Sequence, residues 1–331
     1  MKFGPVPLDQ AVGAVLAHSV ALPDGRLKKG TVLTPDDLGP LEAAGFAEVI
    51  AARLEPGDIA EDAAAERLAH ALVPDPARAG LKLGRAATGR VNITATAPGV
   101  AEILADRIHA LNALHPMITV ATVPKWQRMD ARGMVATVKI ISYAVPEAAL
   151  DAACLAGQGA LRLRPVTCRQ AELIQTTVDD NEKLTDKGHR VTEARLSRMG
   201  CALAAPNIVP HRLEPLTKAI RASTAEIVLI LTGSATSDLH DVAPEAVRKA
   251  GGEVTYYGMP VDPGNLLFYG TLGERPVIGL PGCARAPALN GADWVLERLL
   301  CGVPVTPRDI AAMGVGGLLK EIPARGRLRE G

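Results

Sequence analysis

Aromatic residues are scarce in this chain: two Trp, four Tyr and three Phe among 331 residues, or 3%. A core must then be built from Ala, Val, Leu and Ile, which favours helices layered on a sheet over an aromatic-rich β-sandwich. Net charge is also absent, with 36 basic against 36 acidic residues. That balance argues against bulk attraction to nucleic acid or to an anionic membrane, both of which need a basic excess. No apolar run reaches the roughly 18 residues of a membrane span, and Asp9, Gln10 and His18 interrupt any secretory signal core. The five cysteines (Cys154, Cys168, Cys201, Cys283 and Cys301) are odd in number, widely spaced and contain no Cys-x-x-Cys pair. Neither a disulfide framework nor a zinc site is expected, and a reducing cytoplasm fits best.

What is present is length for two or three domains and 48% hydrophobic residues, enough for a sizeable core. The sequence divides into an N-terminal α+β module over 1–76, a middle α+β module over 77–165, an α/β/α domain over 166–305 and a tail over 306–331. In the first module Asp24-Gly25 signals a hairpin, Thr34 caps a helix whose first turn holds Pro35, Asp36 and Asp37, and residues 48–54 read as a strand. A helical stretch over 60–72 leads to Pro74-Asp75-Pro76, a boundary because a residue before Pro is pushed out of the helical region. In the middle module Val100, Ile103, Leu104, Ile108 and Leu111 sit at helical spacing across 99–114. Runs 117–123 and 134–142 read as strands around a loop bearing Lys125, Trp126 and Arg128. Arg90, Asn92, Asn112 and Lys139 are expected to be structural hydrogen-bonders, and the Gly/Pro/Arg-rich end after 302 is expected to dock partly or not at all.

From Val166 strands and helices alternate: a strand over 173–178, an amphipathic helix over 187–199 closed by Gly200, a strand over 201–209 and a helix over 213–222. This rhythm predicts a mostly parallel sheet with right-handed crossovers. The chemistry concentrates between Glu226 and Asn290. There the apolar run 227–231 breaks into Thr232-Gly233-Ser234 and continues through Ser237, Asp238, His240 and Asp241. A Pro/Gly-punctuated connection carries Asp262-Pro263-Gly264-Asn265, and a second apolar strand over 277–281 ends in Pro281-Gly282-Cys283-Ala284-Arg285, with a helix expected from about 286 to 300. Loops at the carboxyl ends of such strands are where open α/β sheets bind ligands, and small residues there let backbone N–H groups approach an anion.

In layout and in its glycines this order of pieces resembles the molybdopterin-binding domain of molybdenum-cofactor biosynthesis proteins, the MoaB, MogA, MoeA and gephyrin group. The combination of Pro260-Val-Asp-Pro-Gly-Asn-Leu266, Pro281-Gly-Cys-Ala-Arg285 and Met313-Gly-Val-Gly-Gly-Leu-Leu319 is closer still to a bacterial molybdopterin-binding family, some of whose members continue into a nucleotidyltransferase domain. This sequence ends at Gly331, where such a domain would begin. The resemblance implies an α/β class fold, a three-layer α/β/α domain with a mostly parallel sheet, preceded by the smaller α+β modules. It also implies molybdopterin or molybdopterin-adenylate as ligand or substrate.

On that resemblance the cofactor-binding set is Thr232, Gly233, Ser234, Ser237, Pro263, Gly264, Asn265, Pro281, Gly282, Cys283 and Arg285. Asp241 and Asp238 would be the catalytic carboxylates, with Asp241 holding Mg²⁺; Asp180 or Glu182 would stand in for a further acidic residue of the family. The two lysines usual in the family's middle loop are replaced by Asp262 and Asn265, so positive charge for the phosphate must come from elsewhere, with Arg285 the candidate.

Three readings fit this pattern. The chain inserts metal into, or attaches a nucleotide to, molybdopterin or its adenylate, as a molybdotransferase-like enzyme. Alternatively it is a non-catalytic carrier that hands the cofactor to a separate nucleotidyltransferase or molybdoenzyme. A third reading is a nucleotide pyrophosphohydrolase of the CinA-like type. Relatives self-associate, which implies a homo-oligomer; no nucleic-acid or membrane partner is expected.

Overall fold

The structure, a computed structural model, describes residues 1–178 and 182–319, with only the backbone described for 182 and 183. It resolves into two compact units. One comprises Met1–Thr96, Ala101–Lys125 and Ala131–Leu163; the other Ala97–Val100, Trp126–Asp130 and the chain from Arg164 onward.

In the first unit Lys2–Pro7, Glu48–Arg53 and Val15–Leu16 form a three-stranded sheet with Glu48–Arg53 central. Helix Pro35–Ala43 follows the expected cap: Thr34 N donates to Asp37 Oδ2 at 2.8 Å while the Thr34 hydroxyl donates to the same oxygen. Those two bonds favour the carboxylate and hold Asp37 below its usual range. Ala14, Leu16, Leu33, Leu41 and Val49 make the small core beneath. A second sheet runs Ile118–Thr122, Met134–Ile140, Arg90–Ala95, Leu81–Leu83. Asn112 braces it, donating to Val120 O at 2.9 Å and accepting from Val120 N at 2.8 Å, a purely structural bond pair.

One expectation in this stretch is corrected. Residues 99–103 form a strand, not the start of a helix, and only Ala105–Leu114 is helical. Val100 and Ile103 fit a helical stripe and a buried strand equally well. Sterics decide: a Cβ on Gly99 would lie 2.2 Å from Arg164 O, and Val100 and Gly99 pair with Arg128 and Met129.

The second unit contains the α/β domain, whose elements are numbered within it: β1 Gln170–Thr177, α1 Glu182–Arg198, β2 Ala202–Leu203, β3 Asn207–Pro210, α2 Leu213–Ala222, β4 Ile227–Leu231, α3 Val242–Lys249, β5 Glu253–Tyr257, β6 Phe268–Leu272, β7 Arg275–Leu280, α4 Gly291–Leu300 and α5 Pro307–Ala311. The expected strand over 201–209 is thus two short pieces, both pairing with β1. The sheet order is β2-β1-β4-β7-β6-β5. Strands β1, β4 and β7 are mutually parallel, and only β6 runs against its neighbours.

All five residues of β4 are buried, and they alternate between two cores. Leu229 and Leu231 face Leu196, Val295, Leu296 and Leu300, beneath α1 and α4. Val228 and Ile230 face Leu216, Ile220, Ala246 and Val247, beneath α2 and α3. A strand covered on both faces must be apolar throughout, which is why the run 227–231 has no polar member. The result is the expected three-layer α/β/α domain. The segment after it docks through residue 319: Val303, Val305, Ile310 and Met313 are buried in the α1/α4 core, and Asp262 bridges to Leu318.

Candidate functional site

Because β1, β4, β5 and β7 point the same way, the loops that leave them lie along one edge of the sheet. Asp180 and the Glu182 side chain, the stand-ins for the family's acidic residue, lie outside the described residues. The other three loops are tied to one another by specific bonds.

The β4 loop begins at Thr232, which is buried, and its carbonyl accepts from Arg285 Nη2 of the β7 loop at 2.8 Å. Gly233 N donates to Thr176 Oγ1 at 2.9 Å, and the Thr176 hydroxyl lies 2.7 Å from His211 Nδ1. An arrangement in which Thr176 accepts from Gly233 and donates to His211 satisfies both bonds and leaves the imidazole proton on Nε2. The close approach requires glycine: a Cβ on Gly233 would fall 2.7 Å from Thr176 O. Beyond it, Ser234 and Ser237 are exposed.

Asp241 caps α3. One oxygen accepts from Val242 N at 2.7 Å and the other from Ser237 N at 3.0 Å. Asp238 accepts from His240 N at 2.8 Å. Both carboxylates therefore shape the loop and the helix start, where negative charge is favourable. No group of three His, Cys, Asp or Glu side chains that could hold a metal occurs among the described residues, so those residues do not assemble a Mg²⁺ site around Asp241.

The middle loop turns through a cis Asp262–Pro263 bond, and Pro263 O accepts from Gly291 N at 2.8 Å. Gly264, at φ +146°, abuts that same residue, so an added Cβ would meet Gly291 N at 2.9 Å. Asn265 donates to Met259 O at 3.3 Å while most of the residue stays exposed.

The third loop departs from expectation. Gly282–Arg285 is a 3-10 turn, residues 286–290 are irregular, and α4 starts only at Gly291. Asn290 supplies the cap, since its side chain accepts from Ala292 N at 3.0 Å and its own N–H donates to Asp293 at 2.8 Å. Its amide also reaches Cys283 Sγ at 3.1 Å, so the exposed Cys283 sits beside a capping residue and not at a helix N-terminus. Pro281 is buried and Gly282 exposed.

Two contributors stand outside the sequence expectations. Arg195 of α1 pairs with Asp293 and donates to the carbonyls of Ala284, Ala286 and Ala288, which pins the irregular 284–288 segment. Asn290 is the other, and its signal is present in the sequence: Asn290-Gly-Ala-Asp293 carries the spacing of a capping box. Arg285 is half-buried, and burial lowers its pKa. Its Nε is a buried donor with no partner in the structure. The edge thus offers loop amides, exposed hydroxyls and one half-buried guanidinium, a set suited to an oxyanion.

Residues 170–300 match the family described as probable molybdopterin binding domain. Residues 5–53 match a domain family of unknown function. No curated protein matches the chain. Among solved structures the chain is similar to the molybdopterin biosynthesis MoeA protein from Pyrococcus horikosii, at 13% identity over 93% of this chain and 75% of that one, with a TM-score of 0.30. It is also similar to a molybdenum cofactor biosynthesis protein B, at 17% identity over 41% of this chain and 95% of that one, with a TM-score of 0.31. No helix among the described residues is long and apolar enough to cross a membrane.

Proposed function

We propose that the 170–300 domain serves molybdenum-cofactor biosynthesis by holding molybdopterin, or its adenylate, through its phosphate at the shared edge of β4, β5 and β7. The observation that carries this reading is the Arg285 to Thr232 bond, which ties two loops together and leaves Arg285 Nε without a partner. Gly233 and Gly264 let the loops pack against Thr176 and Gly291, where a Cβ would not fit, and Ser234, Ser237 and Asn265 stand exposed as neutral hydrogen-bonding groups. Thr232, Pro263, Pro281 and Cys283 frame the same loops. Molybdopterin would supply the dithiolene that takes the metal; the chain's own residues bind and orient its anionic end.

Of the two roles open to a chain that holds molybdopterin, the carrier is favoured. Asp241 and Asp238 are both engaged by backbone N–H groups. Metal insertion or nucleotide attachment, a transferase role, is the second reading. The test is incubation of the full chain with molybdopterin-adenylate, molybdate and Mg²⁺. Tight binding without turnover supports the carrier, and turnover abolished by Asp241→Asn supports the transferase. Hydrolysis of simple dinucleotides with no pterin binding would refute both in favour of a pyrophosphohydrolase.

A further inference from the structure

A cavity of about 440 Å³ lies within the second unit between α1, α4 and the segment around Trp126. None of the loop residues assigned to the phosphate edge lines it. Its walls are unusual for this chain. Both tryptophans, Trp126 and Trp294, line it, in a sequence with only 3% aromatic residues. Trp126 holds a left-handed backbone, φ +66°, which costs a side-chain-bearing residue about 1–2 kcal/mol. Neither indole is wholly sunk in the core, since both are partly buried residues packed against its margin.

The charge on the opposite wall is uneven. Lys187, Arg190 and Arg198 line the cavity from one stripe of α1, at three- to four-residue spacing with Ala194 between them. They make no ion pair with a described residue. The other cations nearby are engaged: Arg195 by Asp293 and three carbonyls, Arg128 by Asp130 at 2.7 Å and Glu297 at 3.5 Å. Glu297, whose side chain is 15% exposed, is the one further acid lining the space. Aromatic walls with a few placed polar groups are the pattern of a small-molecule site. Three cations outside any ion pair among the described residues call for an anion, and the two indole walls suit a flat ring, Trp126 already carrying the Arg298 guanidinium 5.8 Å from its ring centroid.

We infer that this cavity is a second ligand site, separate from the loop edge, which takes a flat heteroaromatic phosphate: a nucleoside monophosphate or a pterin phosphate stacked on Trp126 and Trp294 with its phosphate on the Lys187, Arg190 and Arg198 stripe. The inference stands apart from the edge reading and survives its failure.

The test is calorimetry of the full chain with AMP and, in parallel, with hydroxymethylpterin phosphate, alongside quenching of tryptophan fluorescence by AMP. Because the chain has no other tryptophan, quenching reports on this cavity alone. One of the two ligands is expected to bind saturably, and the tighter one identifies the source. Arg198→Gln, on the exposed side of α1, is expected to weaken it about tenfold or more, as is Trp294→Leu, with the fold of each variant checked by circular dichroism. Arg285→Met at the loop edge should leave the quenching of tryptophan fluorescence by AMP unchanged. Binding of neither ligand, adenosine binding as tightly as AMP, or quenching lost in Arg285→Met but kept in Arg198→Gln would each overturn the proposal.

Discussion

Arg285 Nη2 donates to the carbonyl of Thr232 at 2.8 Å, so the loop leaving one parallel strand is held to the loop leaving its neighbour. The bond sets the gap between them, and the Nε of the same guanidinium is buried without a partner. Arg285→Met keeps the apolar stem and removes both contributions. Molybdopterin affinity is expected to drop at least about tenfold, as for loss of a charge-assisted bond, and stability by about 1–3 kcal/mol. Calorimetry and urea unfolding measure the two effects separately.

Gly233 and Gly264 are expected to resist any side chain. Gly233→Ala places a methyl 2.7 Å from Thr176 O, and Gly264→Ala places one 2.9 Å from Gly291 N on a backbone at φ +146°. In each case backbone must move, at a cost of about 1–3 kcal/mol, and the loop amides lose register. A lowered denaturant midpoint with unchanged slope is the expected result. A Gly251→Ala control has nothing within 4 Å of its new methyl and tests backbone conformation alone.

Asn290 joins the α4 cap to Cys283 Sγ. Asn290→Ala removes a buried cap and is expected to cost about 1–2 kcal/mol. It also frees the exposed thiol, so Cys283 should react faster with a maleimide in the variant than in the parent. An unchanged reaction rate would separate the cap from the thiol.

Much of this domain is legible in sequence because its central strands are covered on both faces. Residues 227–231 and 277–280 contain no charged side chain, and such runs flanked by Gly and Pro read as buried strands with few competitors. Helix 213–222 is legible to the residue. Residues 99–103 mislead because Val100 and Ile103, three apart, match helical spacing, whereas a strand buried on both faces takes apolar residues at any position; the deciding contact, Gly99 against Arg164 O, joins distant parts of the chain. The late start of α4 has a local cause as well. Residues 284–288 read Ala-Arg-Ala-Pro-Ala, and Pro287 pushes Ala286 into extended backbone while Arg195 takes the carbonyls of Ala284, Ala286 and Ala288. The edge glycines are readable as loop residues; the bonds among Thr176, His211, Arg285 and Asn290 that set their spacing are not.

Glu297 should make stability fall as pH rises. Burial pushes its carboxyl up to about 8, with Asp293 adding to the shift and Arg128, Arg198 and Arg195 opposing it. In the unfolded chain it titrates near about 4.3. Between those values the folded protein keeps a proton that the unfolded chain has released. Its contribution is therefore whole below about pH 4 and lost as pH rises through about 8, by about 1.4 kcal/mol per pH unit across the window. Melting temperatures recorded across that window should decline, and Glu297→Gln should flatten the decline. A parent and variant with parallel profiles would show that the carboxyl ionises freely.

The most direct measurement is calorimetric titration of molybdopterin into the full chain, beside Arg285→Met and Gly233→Ala. Saturable binding by the parent, weakened by both substitutions while the fold persists in circular dichroism, is the predicted result. Absence of binding by the parent, or equal binding by all three proteins, would contradict a phosphate site on this sheet edge.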